Sequence, residues 1–266
     1  MKIALAQINT TPDVSANVSK VEDYVRSAAE AGAVLVQFPE ATMRSFGPGL
    51  REDTRQHAAA WQERMQALAD EHKLTIVAGE FLAHGDRVVN QLAVYSPAAR
   101  RVAYEKIHLY DAFGFRESDT VEPGSDIVTV DVEGVTVGLA ICYDIRFPKL
   151  FAELSRAGAQ LALVSASWGA GPGKLYQWDL LARVRALDSN MIVSAVDQAD
   201  PKVSGVEVPA DAPTGVGGSL VVDPFGAPIA QEDGQGEQLI VTDIDFGVID
   251  KAKNALPVLE NARLGY

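Results

Sequence analysis

Val135-Thr136-Val137-Gly138-Leu139-Ala140-Ile141-Cys142-Tyr143-Asp144-Ile145-Arg146-Phe147-Pro148 is the stretch whose reading decides the fold. Residues 135–141 form a short apolar run of the kind expected for a buried strand. A polar, doubly charged turn stops the run, and Pro148 opens a predicted helix over 148–157, since proline is tolerated in a first helical turn. A strand that breaks into a polar turn and then a helix belongs to an α/β layer. In open α/β folds the carboxyl ends of strands face ligand crevices. Cys142 stands at such an end.

The same alternation extends in both directions. Toward the N-terminus, residues 2–8 read as a strand and 13–31 as an amphipathic helix with Val14, Val18, Val21, Val25 and Ala28 on one stripe, stopped by Gly32. Residues 33–36 read as a buried strand that runs into Phe38-Pro39-Glu40. A helix over 54–72 and a strand over 74–79 follow. Residues 90–95 and 101–106 pair around Ser96-Pro97, and 127–132 pairs with 135–141 around Glu133-Gly134. Toward the C-terminus, strands are predicted over 161–165, 191–196, 218–222 and 238–244, with a helix over 175–189. Alternating strands and helices with several hairpins predict mixed sheets covered by helices. Nothing marks a domain boundary. The irregular stretch 197–217 is a candidate active-site loop, and 246–266 is a candidate tail packing on the domain or on a partner subunit.

Composition narrows the function. The chain has 266 residues, 47% of them hydrophobic, enough for a sizeable core. Its net charge of -13, with no basic block, argues against nucleic acid or an anionic membrane surface as partner. Cys142 is the single cysteine, so neither an internal disulfide nor a multi-cysteine zinc site can form. No segment approaches the ~20 apolar residues of a membrane span, and the N-terminal run turns polar too early for a signal peptide. A reduced, cytoplasmic location is expected.

The chemistry rests on a few side chains, each with an ordinary alternative. A lone cysteine is often just a small buried hydrophobe. The charged turn after Cys142 favours a nucleophile instead, with Arg146 raising the local positive potential that stabilises a thiolate. Glu40, after the 33–36 strand and fixed by Pro39, is either a solvated loop residue or a base aimed into a crevice. Lys106, ending its strand, is a solvated cation unless it meets Cys142 in space. Gly169-Ala170-Gly171-Pro172-Gly173-Lys174 lacks the spacing of a phosphate loop, because Leu175 follows the lysine. His57, His72, His84 and His108 show no metal-ligand spacing. No cofactor and no metal are expected.

Taken together, Phe38-Pro39-Glu40, then Glu105-Lys106-Ile107-His108-Leu109, then Ile141 to Pro148 resemble the three signature blocks of the nitrilase superfamily of carbon–nitrogen hydrolases, in the family's order. Arg116-Glu117-Ser118-Asp119-Thr120 with Pro123-Gly124 resembles its second-glutamate block. Residues 185–190 and 218–226 also match its pattern, and the similarity covers residues 1–245. Two positions depart from it, Lys149 after Pro148 and Asp188-Ser189-Asn190, neither within the blocks' functional groups.

The resemblance implies an α/β fold, an α-β-β-α sandwich of two mixed sheets with helices outside, which pairs with a second copy into a homodimer or higher homo-oligomer. It implies hydrolysis of a small linear amide to a carboxylic acid and ammonia through a thioester on Cys142. Glu40 is then the general base, Lys106 and the Tyr143 backbone N–H stabilise the oxyanion, and Glu117 positions the substrate or Lys106. Its form of the cysteine motif is closest to the branch acting on ω-amides of keto acids or on deaminated glutathione. Phe113, Phe115, Tyr110 and Trp168 could wall the pocket, and Arg44 or Arg116 could hold a distal carboxylate. Three other readings stay open: a nitrilase acting on a small nitrile, a cysteine–histidine hydrolase using His108, and a catalytically silent binding subunit.

Overall fold

Along the first strand, Ile3 and Leu5 point to one hydrophobic core while Ala4 and Ala6 point to another. A strand presents alternate residues to opposite faces, so this sheet is buried on both sides. The computed structural model describes residues 1–206, 213–231 and 234–263. Its elements, in chain order, are β1 (Lys2–Gln7), α1 (Val14–Glu30), β2 (Leu35–Gln37), α2 (Leu50–His72), β3 (Thr75–His84), β4 (Arg87–Tyr95) and β5 (Val102–Glu105). Then come the short β6 (Asp111–Ala112), β7 (Phe115–Arg116) and β8 (Val121–Glu122), followed by β9 (Thr129–Val132), β10 (Val135–Ile141), α3 (Pro148–Arg156), β11 (Leu161–Ala166), α4 (Lys174–Ser189) and β12 (Ile192–Asp197). The chain continues through α5 (Pro201–Ser204), β13 (Leu220–Val222), β14 (Pro228–Gln231), β15 (Gln238–Asp243), α6 (Gly247–Ala255) and α7 (Val258–Asn261).

Two mixed sheets result. One has the order β15-β1-β2-β3-β4-β5, with β8 on β4; the other has the order β14-β13-β12-β11-β10-β9. Val21, Val25 and Ala28 of α1 and Trp61, Met65 and Leu68 of α2 cover the outer face of the first sheet. Phe151 and Leu154 of α3 and Trp178, Ala182 and Ala186 of α4 belong to the core of the second, which also takes in Ile3, Leu5, Leu35 and Val77 from the inner face of the first. The layering is α-β-β-α, as expected.

Polar side chains fix the two sheets in register. Gln37 donates to the Val164 carbonyl at 3.0 Å and accepts from Ser194 Oγ at 2.7 Å; Ser165 Oγ donates to the Phe38 carbonyl at 2.7 Å. Such bonds inside a core add little net stability when made and cost much when one partner is lost. Strands β1, β2 and β3 are mutually parallel. Two antiparallel steps, through β4, turn β5 back to the same direction. β10, β11 and β12 are also parallel. The carboxyl ends of β2, β5, β10 and β11 therefore open on one region between the sheets.

The structure differs from the sequence reading at several edges. The helix predicted from residue 54 starts at Leu50, after Gly49 in the left-handed conformation (φ 84°), with Glu52 and Asp53 in its first turn, where they complement the helix dipole. Strands β3 and β4 run past their predicted ends to a two-residue turn, Gly85-Asp86, which closes a long hairpin. β14 was not predicted. Part of the predicted 197–217 loop, residues 207–212, lies outside the described residues. The segment predicted as a tail contains α6, whose Ile249 and Ala252 are buried, and Asn190 Nδ2 donates to the Leu256 carbonyl at 3.3 Å. The segment's described residues through Leu256 pack on the domain itself. No helix among the described residues is long and apolar enough to cross a membrane.

Gly79 in β3 connects fold to site. Its N–H donates to the Pro39 carbonyl at 3.1 Å and its carbonyl accepts from Met43 N at 3.0 Å. A Cβ there would stand 2.4 Å from Ala41 N and 2.6 Å from Pro39 O, both backbone atoms that cannot yield cheaply. Gly79→Ala is expected to cost about 1–3 kcal/mol of stability, read by urea denaturation, and to lower turnover as well, because the displaced segment carries Glu40.

Candidate active site

Cys142 follows β10 directly and opens a 3-10 turn, Cys142–Arg146, with φ 47°. A non-glycine residue in the left-handed region is strained, and surrounding contacts must hold it there. Asp144 supplies them. Its Oδ2 accepts from Ile141 N and from Tyr104 OH, both at 2.8 Å; its Oδ1 accepts from His108 N at 3.0 Å and lies 2.7 Å from His108 Nδ1. One buried carboxylate thus ties the cysteine turn to the segment after β5. His108 also stacks on Phe147, with ring centroids 3.7 Å apart. It is not among the residues lining the cavity around Cys142.

Lys106 leaves β5 with its ammonium between two carboxylates. Nζ donates to Glu40 Oε1 at 2.8 Å and to Glu117 Oε2 and Oε1 at 2.8 and 3.1 Å. All three side chains are about 1% exposed. Burial alone would discharge the lysine, but Glu117 and Glu40 outweigh it and hold its pKa well above the ordinary value. Burial pushes Glu40 up, partly offset by Lys106 and by the Ser167 N–H, which donates to Glu40 Oε2 at 2.9 Å. Burial, then the Glu40 carboxylate, push the Cys142 thiol well up, against the pull of Lys106. The resting sulfur is therefore a thiol, donating weakly to the Ser167 carbonyl at 3.8 Å.

These groups share a narrow cavity, partly open to solvent. Glu40, Lys106, Glu117 and Cys142 line it together, as do Tyr110, Phe115 and Trp168. Phe113 does not. It sits 85% exposed at the tip of the β6–β7 hairpin, with the Lys174 ammonium 4.0 Å from its ring centroid. Two expected anion contacts are corrected. Arg44 is buried, but it donates to Asp53 Oδ2 at 2.8 Å and to the Ser45 and Pro48 carbonyls, so its guanidinium fastens the 45–49 segment to α2. Arg116 has a side chain 70% exposed and faces Asp119 at 3.6 Å, outside the cavity. Besides Lys106, the cations that line the cavity are Arg146 and Lys174, neither paired with a carboxylate among the described residues. Arg146 donates to Gln177 Oε1 at 2.8 Å and stacks over Trp168 at 4.8 Å.

The sequence reading missed Asn90. From β4 it donates one Nδ2 to both Glu40 Oε1 (2.8 Å) and Glu117 Oε1 (3.1 Å), bridging the carboxylates on either side of Lys106. Its signal was an amide pair, Asn90-Gln91, interrupting the apolar residues Val88-Val89 and Leu92-Ala93-Val94. Asp197, buried at the end of β12, was also missed. It accepts from Trp168 N at 2.8 Å and Val216 N at 2.7 Å, holding one wall of the cavity. Among the described residues, no group of three or more His, Cys, Asp or Glu side chains could hold a metal ion.

The family model for carbon-nitrogen hydrolase matches residues 2–254. A hydrolase of Mycobacterium tuberculosis is 50% identical over 98% of this chain and 95% of its own. The omega-amidase NIT2 of Homo sapiens is 30% identical over 98% and 95%. The crystal structure of Saccharomyces cerevisiae Nit3, a member of branch 10 of the nitrilase superfamily, superposes with a TM-score of 0.82 at 26% identity, covering 97% of this chain and 94% of that one. The chain belongs to the carbon-nitrogen hydrolase family of the nitrilase superfamily, and it is an enzyme of that class.

Proposed function

We propose that the protein hydrolyses the primary amide of a small linear ω-amide through a thioester on Cys142. The observation that carries this reading is the buried Lys106 ammonium, hydrogen-bonded to Glu40 and Glu117 in the cavity that Cys142 also lines. Burial and the Glu40 carboxylate both oppose ionisation of the Cys142 thiol. Ionising the thiol outright would add a further buried negative charge. Moving its proton to Glu40 leaves the total unchanged, which makes Glu40 the fitting base. The sulfur then attacks the amide carbon, and Lys106 with the Tyr143 backbone N–H stabilises the oxyanion. Glu40 returns its proton to the departing ammonia. A water deprotonated by Glu40 cleaves the thioester, giving the carboxylic acid and the free thiol. Glu117 holds the lysine, and Asn90 holds the two glutamates.

Arg146 and Lys174 favour a substrate with a second, anionic end. Burial, then Arg146, lower the Lys174 pKa, and neither cation is paired with a carboxylate among the described residues. A carboxylate three or four carbons from the amide would supply that partner. This is the reading under which ω-amides of keto acids fit, as the omega-amidase name of the human relative suggests. Tyr176, Leu180 and Leu187 leave an apolar strip exposed on α4, and we propose that it pairs with a second copy.

Three outcomes test these points. Cys142→Ala is expected to abolish ammonia release from glutaramate, and Lys106→Ala to cut kcat by about 10²–10³, with a much smaller loss in His108→Ala. The opposite ranking of the lysine and histidine variants would establish the cysteine–histidine mechanism instead. Arg146→Met and Lys174→Met should each raise KM for glutaramate about tenfold while changing KM for butyramide less; equal effects on both amides exclude the carboxylate contact. Sedimentation velocity should give a dimer that Leu180→Asp converts to monomer, and a monomeric wild type removes the pairing.

A further inference from the structure

A second open space lies beside the cavity. It is a groove of about 1460 Å³ of empty volume, open to solvent, bounded by the 47–52 segment, Asp86, Val88 and the 114–120 segment. Two residues line both spaces, Phe46 and Phe115. Their rings meet edge to face at 6.4 Å and 81°. Phe46 is anchored from behind by Phe81, at 5.3 Å and 76°, and is 5% exposed. Phe115 is only half-buried, and its other neighbour is Tyr110, at 6.1 Å. Phe46 is thus part of the core, and Phe115 is the more exposed of the two rings that separate the cavity from the groove.

The position of that ring is fixed from the cluster itself. Phe115 lies two residues before Glu117, whose N–H donates to the Tyr110 carbonyl at 3.2 Å and whose Oε2 accepts from Tyr110 N at 2.7 Å. Ser118 N and Oγ donate to the two carboxylate oxygens of Asp111, at 3.0 and 2.7 Å, closing the β6–β7 hairpin at its base. The same backbone that presents Glu117 to Lys106 therefore holds the Phe115 ring at a set distance from it. A wall built on such a frame does not yield to a longer ligand without disturbing Glu117.

We infer that Phe115 is a specificity-determining residue which sets the upper length of the acyl chain by closing the Cys142 cavity off from the neighbouring groove. The inference rests on the proposed amide hydrolysis at Cys142. Removing the ring joins two spaces that already exist, rather than leaving a sealed void, so the gain in chain length needs no rearrangement of the core.

The test is ammonia release from glutaramate and from its longer homologue suberamate, for the wild type, Phe115→Ala and Phe113→Ala. Wild-type kcat/KM is expected to favour glutaramate strongly. Phe115→Ala should raise the suberamate-to-glutaramate ratio at least about tenfold, the size of effect a few methylenes exert in an apolar pocket. Phe113→Ala, on the same hairpin but outside both spaces, should leave the ratio as it is. A folded Phe115→Ala protein that cleaves glutaramate with the wild-type ratio overturns the inference. Should alanine prevent folding, Phe115→Leu is judged by the same ratio, and an unchanged value again overturns it. Release of ammonia by Cys142→Ala equal to that of the wild type would instead defeat the underlying chemistry. In that case a crystal structure of Phe115→Ala decides the wall alone, by whether cavity and groove have merged.

Discussion

The buried ammonium of Lys106 is the constraint on which the site and much of the fold depend. An ion removed from water costs several kcal/mol even after relaxation, and removing one partner of a buried pair typically costs about 3–5 kcal/mol. Here three charged groups are buried together, and each comes from a different part of the chain: after β2, after β5 and after β7. Their remaining hydrogen-bonding capacity is met by Asn90 from β4, by the Ser167 N–H at the end of β11 and by the Tyr110 N–H. Ser167 belongs to the second sheet, the others to the first or its connections. The cluster therefore fastens the sheets at their carboxyl edge, while Gln37, Ser165 and Ser194 fasten them deeper in.

What the sequence revealed of this arrangement follows from what is local. Short apolar runs and helical stripes are decided by neighbours in the chain, so the strands ending at Glu40, Lys106 and Cys142 were legible, as was the layering they imply. The motif blocks brought the three groups into one candidate site. Contacts made across the fold were not legible. Arg44 and Arg116 were as plausible as any arginine for an anion, yet Asp53 and the carbonyls of the 45–49 segment occupy one, and the hairpin leaves the other in water. Arg146 was read only as a source of positive potential, and Lys174 only as the end of a glycine-rich loop. Their joint position in the cavity depends on α4 packing near the cysteine turn. The apolar residues of α6 gave no sign of which surface they would cover; Ile249 covers the same core as α4.

Asp144 and His108 explain why a motif can be longer than its chemistry. Asp144 accepts four contacts from three segments and is completely buried, and it holds Cys142 in a backbone conformation that a non-glycine residue otherwise avoids. His108, a titratable group close in sequence to Lys106, spends its Nδ1 on that carboxylate and its face on Phe147. Both residues place other groups. The strain at Cys142 and the hydrogen bonds of Asp144 are two sides of one arrangement, since the turn keeps its shape only while the carboxylate accepts from Ile141 N.

The distribution of charge carries the selectivity one step further. A chain with a net charge of -13 repels anions at long range, yet at physiological ionic strength that field decays within about 8 Å. Arg146 and Lys174 both line the cavity and lack acidic partners of their own among the described residues. Nearer the sulfur, Glu40 and Glu117 flank the Lys106 ammonium. On the proposed hydrolysis, a ligand with an anionic end and a neutral amide end is oriented by the cavity, because its charge favours Arg146 and Lys174 while the uncharged group approaches Cys142 beside the Glu40 and Glu117 carboxyls. On the same proposal, the acid formed by hydrolysis carries a new carboxylate next to Glu40 and Glu117, so the asymmetry that admits the amide favours release of the product.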